Sequence, residues 1–359
     1  MANLSDLPIR DSLKGRVPYG APQLHVPVAL NVNENTHGIP EVVAMDIITR
    51  LATEVLTINR YPDREFVELR DALAKYLGHD LTREQIWAAN GSNEVIQQIL
   101  QAFGGPGRKA LGFSPTYSMY RIISDGTDTE YVDAERDDRY ELSKETALAS
   151  IEQHKPDIIL LCSPNNPTGT PLSLEVIELI YAATEGVVVV DEAYAEFAHP
   201  DTQSAITLLE GRERLMVSRT MSKAFAFAGA RVGYLAADPA VIDALRLVRL
   251  PYHLSAFTQA AALAALAHSD LMLSAVADIR VQRDRIIAEL IEMGLDPYRS
   301  DSNFVLFGGL ESPKDVWQQL LERGVLVRDV GIEGTLRVTA GTEAETTLFL
   351  DNLREVLKG

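Results

Sequence analysis

At 359 residues, 46% hydrophobic and 23% charged, the chain has an ordinary globular composition and exceeds the size at which one core usually stops growing. Its 33 Lys and Arg against 51 Asp and Glu leave a formal charge of −18, which disfavours nonspecific attraction to nucleic acid or an anionic membrane and makes any anionic ligand depend on local arginines. The single cysteine, Cys162, excludes an intrachain disulfide, no apolar run approaches membrane-spanning length, and the opening "MANLSDLPIRD" lacks a signal-peptide pattern, so a cytoplasmic protein of two domains is expected.

The segment up to about Val43 is rich in Pro and Asn and reads as an arm and a strand that join the smaller domain. From about Met45 to Asp238, strand-like runs alternate with amphipathic helical segments. "ANGSNEVIQQILQAF" (Ala89–Phe103) places a Gly-Ser-Asn turn before a helix. The amides of Ser92 and Asn93 can face an anion there, or the turn is simply a capped helix start. "KALGF" (Lys109–Phe113), "DIILLCSP" (Asp157–Pro164), "GVVVVDEAY" (Gly186–Tyr194), "RLMVSRT" (Arg214–Thr220) and "RVGYLAAD" (Arg231–Asp238) are short, apolar and mostly unalternating. They predict an α/β fold with a largely parallel sheet covered by helices on both faces, and polar residues cluster just past the strand ends, where such sheets bind ligands.

Two of those clusters stand out. Asp191 follows four valines, so its carboxylate is partly desolvated and needs a positive partner or donors, unless it caps a helix. In "SRTMSKAFAFAGARVG" (Ser218–Gly233) a lone lysine, Lys223, sits among small, hydroxylated and aromatic residues. A lysine held in such a pocket favours its neutral amine, a nucleophile toward carbonyls and a base toward carbon acids.

Beyond Pro239, helical patterns fill Ala240–Arg249 and the Ala-rich span Thr258–Met293. "SNFVLFGG", "GVLVRDV" and "TLRVTAG" then predict a small sheet with one helix before it and one after. The expected division is a large domain, residues 44–257, and a smaller α+β domain formed by residues 1–43 and 258–359. Arg337 in "TLRVTAG" alternates with apolar neighbours, which suits either a solvated strand face or a grip on an anion.

The ordered set "NPTG" with Asn166, Asp191 and Tyr194 in "DEAY", "SK" with Lys223, and then Arg231 resembles the fold type I pyridoxal 5'-phosphate (PLP) aminotransferases. The resemblance runs from "NVNEN" near the start to "LRVTAGT" near the end. "NRYPD", "SPTYSMYR", "CSPNNPTG", "DEAYAEF" and "SKAFAFAGARVGY" are most similar to the histidinol-phosphate aminotransferase branch.

The resemblance implies that Lys223 attaches PLP and moves the substrate proton, that Asp191 pairs with the ring nitrogen, and that Asn166 and Tyr194 bond the 3'-oxygen. It implies that Ser92, Asn93, Thr220, Ser222 and Arg231 hold the phosphate, that Tyr61 reaches it from the partner subunit of a homodimer, and that Tyr117 stacks on the ring. Arg337 would grip a substrate carboxylate or phosphate, with Arg328, Tyr19, Asn35 and Tyr252 as further phosphate or imidazole contacts. The implied reaction is histidinol phosphate plus 2-oxoglutarate giving imidazole-acetol phosphate and glutamate. An aromatic-amino-acid aminotransferase, a threonine-phosphate decarboxylase and a PLP-binding sensor without turnover remain the alternatives. No nucleotide fingerprint or paired-histidine metal spacing is present, and −18 charge leaves no evident nucleic-acid or membrane partner.

Overall fold

The computed structural model describes residues 3–358. In chain order the elements are β1 (Val28–Ala29), α1 (Glu41–Val55), α2 (Val67–Leu77), β2 (Ile86–Ala89), α3 (Ser92–Phe103), β3 (Lys109–Ser114), α4 (Met119–Gly126) and β4 (Glu130–Glu135). There follow α5 (Lys144–His154), β5 (Ile158–Cys162), α6 (Leu174–Ala183), β6 (Val187–Asp191), β7 (Leu215–Thr220), β8 (Gly233–Ala237), α7 (Pro239–Val248) and α8 (Ala256–Ala267). The chain ends with α9 (Ser269–Met272), α10 (Ala275–Glu292), β9 (Asp296–Pro297), β10 (Phe304–Gly308), α11 (Pro313–Glu322), β11 (Val325–Leu326), β12 (Leu336–Thr339) and α12 (Glu343–Leu357).

Seven strands form one sheet in the order β2-β8-β7-β6-β5-β3-β4, parallel from β7 to β4, with β8 antiparallel to both of its neighbours. Every residue of β5 and β6 is buried, which is why these runs carry no polar alternation. Ser143, Ser173 and Ser255 cap α5, α6 and α8, and Asp238 caps α7 ahead of Pro239. The five expected strands of the large sheet are present. The run expected from Arg231 begins at Gly233, because Arg231 has a left-handed φ of 56° and stays in the preceding loop.

In the last third, β10 lies antiparallel between β12 and β9. The third expected strand of this sheet, β11, instead pairs in parallel with β1 from the N-terminal segment, touching the ladder only at the Arg328–Arg337 bridge. The helical span expected from Thr258 to Met293 is three helices, broken at His268, where the chain bends by 88°, and again at Leu273 and Ser274. Among the described residues, no single helix is long and apolar enough to cross a membrane.

Two apolar clusters hold the chain together, one around the large sheet and one around β10, α10 and α12. Ala262, Ala265 and Leu266 of α8 and Met272 of α9 lie in the first, Val276 and Ile279 of α10 lie in the second, and Leu273 touches both. The two clusters meet at Leu273, whereas the boundary expected after Phe257 falls inside α8, which packs on α1 and α2. Its alanine-rich sequence is apolar on every side, so no stripe marks which core it faces.

Candidate active site

Strands β5, β6 and β7 are in register at their carboxyl ends, with Cys162 opposite Asp191 and Asp191 opposite Ser218. A cavity of ≈ 470 Å³ opens over these ends, where a parallel sheet exposes its loops. Asp191 is 2% exposed and ends its strand rather than capping a helix. Ser218 Oγ donates to its Oδ1 and Tyr120 Oη to its Oδ2, both at 3.0 Å. Burial pushes this carboxyl up to about 6, against the lowering effect of those two hydroxyls and the Ala193 amide. None of the described lysines or arginines forms an ion pair with it.

Lys223 reaches the same cavity from the loop after β7, and its Nζ donates to the Val32 carbonyl at 3.0 Å. The protein packed around the ammonium lowers its pKa to about 8, and the positive charges of Arg337 and Arg231 act in the same direction. Tyr194 is buried, and its hydroxyl accepts from Asn33 Nδ2 at 3.0 Å and Asn166 Nδ2 at 3.2 Å. The same Asn166 presents Oδ1 to Arg337 Nη1 at 2.6 Å, while Arg337 Nη2 donates to the Asn31 carbonyl at 2.9 Å. Arg337 is 7% exposed with its Nε unpartnered, so it is no solvated strand residue, and burial pulls its pKa down to about 10.

At another part of the wall the helix α3 begins without a side-chain cap, with Ser92 and Asn93 lining the cavity. Thr220, Ser222 and Arg231 line it too, and Arg231 Nη1 lies 3.4 Å from Ser222 Oγ. Two glycines make this convergence possible. Gly91 has φ 87°, and a Cβ there would meet Arg231 Nη2 at 2.4 Å. A Cβ on Gly233 would meet Ser92 N at 2.2 Å, so only glycine lets β8 lie against the first turn of α3. Tyr117 also lines the cavity, its hydroxyl donating to Asn93 Oδ1 at 3.0 Å.

Tyr19 and Arg328 are in the wall as well. Asn35, Tyr61 and Tyr252 are not. Asn35, expected as a substrate contact, donates from Nδ2 to the Ala224 carbonyl at 3.1 Å and accepts the His37 amide at Oδ1, which braces the loop behind Lys223. Tyr61 and Tyr252 stack on each other on the outside of the chain, with ring centroids 4.4 Å apart. The site also uses groups with no role in the sequence reading, namely the Val32 carbonyl, Asn33, Tyr120 and Ser218.

PLP brings an aldehyde, a ring nitrogen, a 3'-oxygen and a phosphate, and these residues fit it. Asp191 is a buried carboxylate lacking a cationic partner among the described residues, Lys223 is a low-pKa amine, and the glycine-lined cradle at α3 suits an anion.

Residues 26–353 match the family described as Aminotransferase class I and II. The chain is 64% identical over 362 residues to histidinol-phosphate aminotransferase of Paenarthrobacter aurescens, covering 100% of this chain and 97% of that one. It is 54% identical over 352 residues to the enzyme of the same name from Thermobifida fusca, covering 98% and 96%. Among solved structures it is similar to histidinol-phosphate aminotransferase from Sinorhizobium meliloti in complex with pyridoxal-5'-phosphate, with a TM-score of 0.85, 26% identity and coverage of 93% and 91%.

Proposed function

The chain belongs to the class I and II aminotransferase family, and from that premise we propose that it transfers an amino group reversibly between histidinol phosphate and 2-oxoglutarate, giving imidazole-acetol phosphate and glutamate. Its cofactor is PLP. The observation that carries the substrate reading is the meeting, in one cavity of a −18 chain, of a low-pKa lysine with two arginines besides Arg231, namely Arg328 and Arg337. Such a chain repels phosphorylated molecules at a distance, so binding them requires cations at close range.

When bound, PLP supplies an aldehyde carbon for the amino group and a ring that takes up the electron pair left when the substrate loses its Cα proton. Lys223 would hold the cofactor and would carry that proton at Nζ, for which a pKa of about 8 leaves both protonation states accessible near neutrality. Asp191 pairs with the ring nitrogen. Asn166 and Tyr194 would hold the 3'-oxygen, and the hydrogen bond that Arg337 Nη1 donates to Asn166 Oδ1 couples that contact to the substrate end. Ser92, Asn93, Thr220, Ser222 and Arg231 bind the phosphate. Tyr117 packs its ring on the cofactor. Arg337 grips the glutamate carboxylate or the histidinol phosphate group in turn, and Arg328 and Tyr19 add contacts to the phosphorylated substrate.

A homodimer completes the site in this reading. Val42, Met45 and Ile48 expose an apolar face of α1, and Leu56, Ile58 and Tyr61 continue it. Tyr61 reaches the neighbour's phosphate, and Tyr252, stacked on it, travels to the same cavity. A phosphorylated substrate that does not cross a bilayer supports a cytoplasmic setting.

The test is kcat/KM for glutamate, histidinol phosphate, histidinol and phenylalanine in the wild type, Arg337→Ala and Arg328→Ala. Arg337→Ala should impair glutamate and histidinol phosphate together by about a hundredfold, and Arg328→Ala should act mainly on the phosphorylated substrate. Equal rates on histidinol with and without its phosphate would eliminate histidinol phosphate as the substrate and leave an aromatic aminotransferase.

A further inference from the structure

Asp191 has to stay an anion in a place that disfavours one. The titratable groups that act on it or feel its charge are neutral or acidic: Tyr120 from α4, Cys162 from β5, Glu192 just past the end of β6, and Tyr117 and Tyr194 in the cavity wall. Lys223, Arg231 and Arg337 share that cavity without forming an ion pair with it among the described residues. Glu192 is itself engaged by Arg219 at 2.8 Å, so that guanidinium serves another carboxylate. Three protein donors remain: the Tyr120 hydroxyl, the Ser218 hydroxyl and the Ala193 amide.

We propose that Tyr120 and Ser218 are positioning residues for Asp191, each hydroxyl donating to a different carboxylate oxygen, so that the group is held ionised and in one plane with a free lone pair toward the cavity. A carboxylate has about four acceptor directions. The three donors use all but one of them, and Asp191 lines the cavity while neither Tyr120 nor Ser218 does.

The fold builds this clamp from two sources. The β6–β7 register sets Ser218 directly opposite Asp191, and paired positions in a parallel sheet put side chains on one face. Tyr120 enters from α4, completely buried, its ring edge-on to Tyr117 at 5.5 Å. Burial and the nearby Asp191 charge raise the Tyr120 phenol well above its ordinary range, so it stays a donor at every working pH. The Cys162 thiol beside it is pushed up to about 12 and stays neutral. Without these donors a buried carboxylate takes up a proton, and a neutral acid no longer stabilises a protonated ring nitrogen.

The clamp rests on Asp191 being the partner of that nitrogen, and the experiment separates the two ideas. Binding of PLP and of 1-deazapyridoxal phosphate, whose ring nitrogen is replaced by C–H, is measured on the apo protein by fluorescence quenching. The wild type should prefer PLP. Tyr120→Phe and Ser218→Ala should each reduce that preference about tenfold while leaving affinity for the deaza analogue unchanged, and Asp191→Asn should abolish it. An unchanged preference in both hydroxyl variants, with loss in Asp191→Asn, overturns the clamp alone. Equal weakening of both ligands in the hydroxyl variants also overturns it, because a merely structural role would affect both alike. A preference that survives Asp191→Asn overturns the clamp together with the ring-nitrogen role. Should Tyr120→Phe fail to fold, Ser218→Ala decides by the same ratio.

Discussion

Lys223 shows how much of a site's chemistry comes from where a side chain is put. An ordinary lysine titrates near about 10.4. Here the surrounding protein and the charges of Arg337 and Arg231 bring the value to about 8. The folded pKa is below the unfolded one, so between those two values the folded apo chain holds fewer protons, and its stability rises with pH across that window. The neutral amine grows in through pH about 8. Capture of PLP by the apo protein, followed by borohydride reduction and peptide mapping, should rise with a midpoint there and label Lys223, and Lys223→Ala should bind PLP only reversibly. A label on a different lysine, or a midpoint at the value of a surface amine, would contradict the assignment. Lys223 and Asp191 stood out in the sequence because a charged side chain beside apolar residues needs a reason to be there, whereas Asn166 and Arg231 were named only through the resemblance of their ordered motifs to a known family. The Val32 carbonyl left no such trace, since any residue type supplies a carbonyl and this one arrives from a distant part of the chain. Tyr120 lies in the same "SPTYSMY" stretch as Tyr117 and was hidden by the ordinary role of a core tyrosine. Ser218 became informative only with the register that sets it against Asp191.

Among the elements, the legible strands were those buried on both faces. Strands β5 and β6, "IILLC" and "VVVVD", announce themselves by composition. The edge strand β4, "EYVDAE", exposes both glutamates and so reads as polar loop, and β2, "IWAA", is short and half alanine, a weak strand former. The pairing of β11 with β1 joins segments from opposite ends of the chain, and no local pattern reports that. The start of α3 shows what an element's end can do when it is left uncapped. Gly91 holds a φ of 87° and leaves room for Arg231 only because it has no Cβ. Gly91→Ala would set a methyl 2.4 Å from Arg231 Nη2, so the guanidinium must move. The backbone strain should cost about 1–3 kcal/mol of stability, measured by denaturant unfolding. Affinity for PLP should fall more than about tenfold while affinity for pyridoxal, which lacks the phosphate, is unchanged, because the loss of a charge-assisted contact is felt only by the ligand that carries the charge. Equal losses for the two ligands would mean that the cradle does not hold the phosphate.

At the scale of the molecule, the cavity is a seam between the two cores. Its hydrogen bonds join parts of the chain far apart in sequence: Lys223 to Val32 at 3.0 Å, Asn33 to Tyr194 at 3.0 Å, and Arg337 to Asn166 at 2.6 Å. The fully buried Arg283 on α10 ties it further back by donating to the Phe197 and Ser302 carbonyls. Tyr61 and Tyr252 stack with each other and do not line their own cavity. Tyr61 is 79% exposed, an odd position for a tyrosine unless a second copy covers it. In a twofold dimer each subunit would lend this pair to the other's site. Two variants then become complementary. Lys223→Ala has no attachment point for PLP but lends an intact Tyr61, whereas Tyr61→Ala keeps its lysine and leaves the partner's phosphate contact short. Neither should turn over at PLP concentrations too low to fill the weakened site. Mixed in equal amounts and allowed to exchange subunits, half of the dimers are hybrids, and each hybrid has one intact site and one doubly damaged site. Activity should return to about a quarter of wild type. Ile48→Asp, which puts a charge on the exposed face of α1, should block both exchange and recovery, as read by the elution volume on gel filtration. No recovery despite proven subunit exchange would show that Tyr61 serves its own chain, and full activity in an Ile48→Asp monomer would show that the site needs no partner at all.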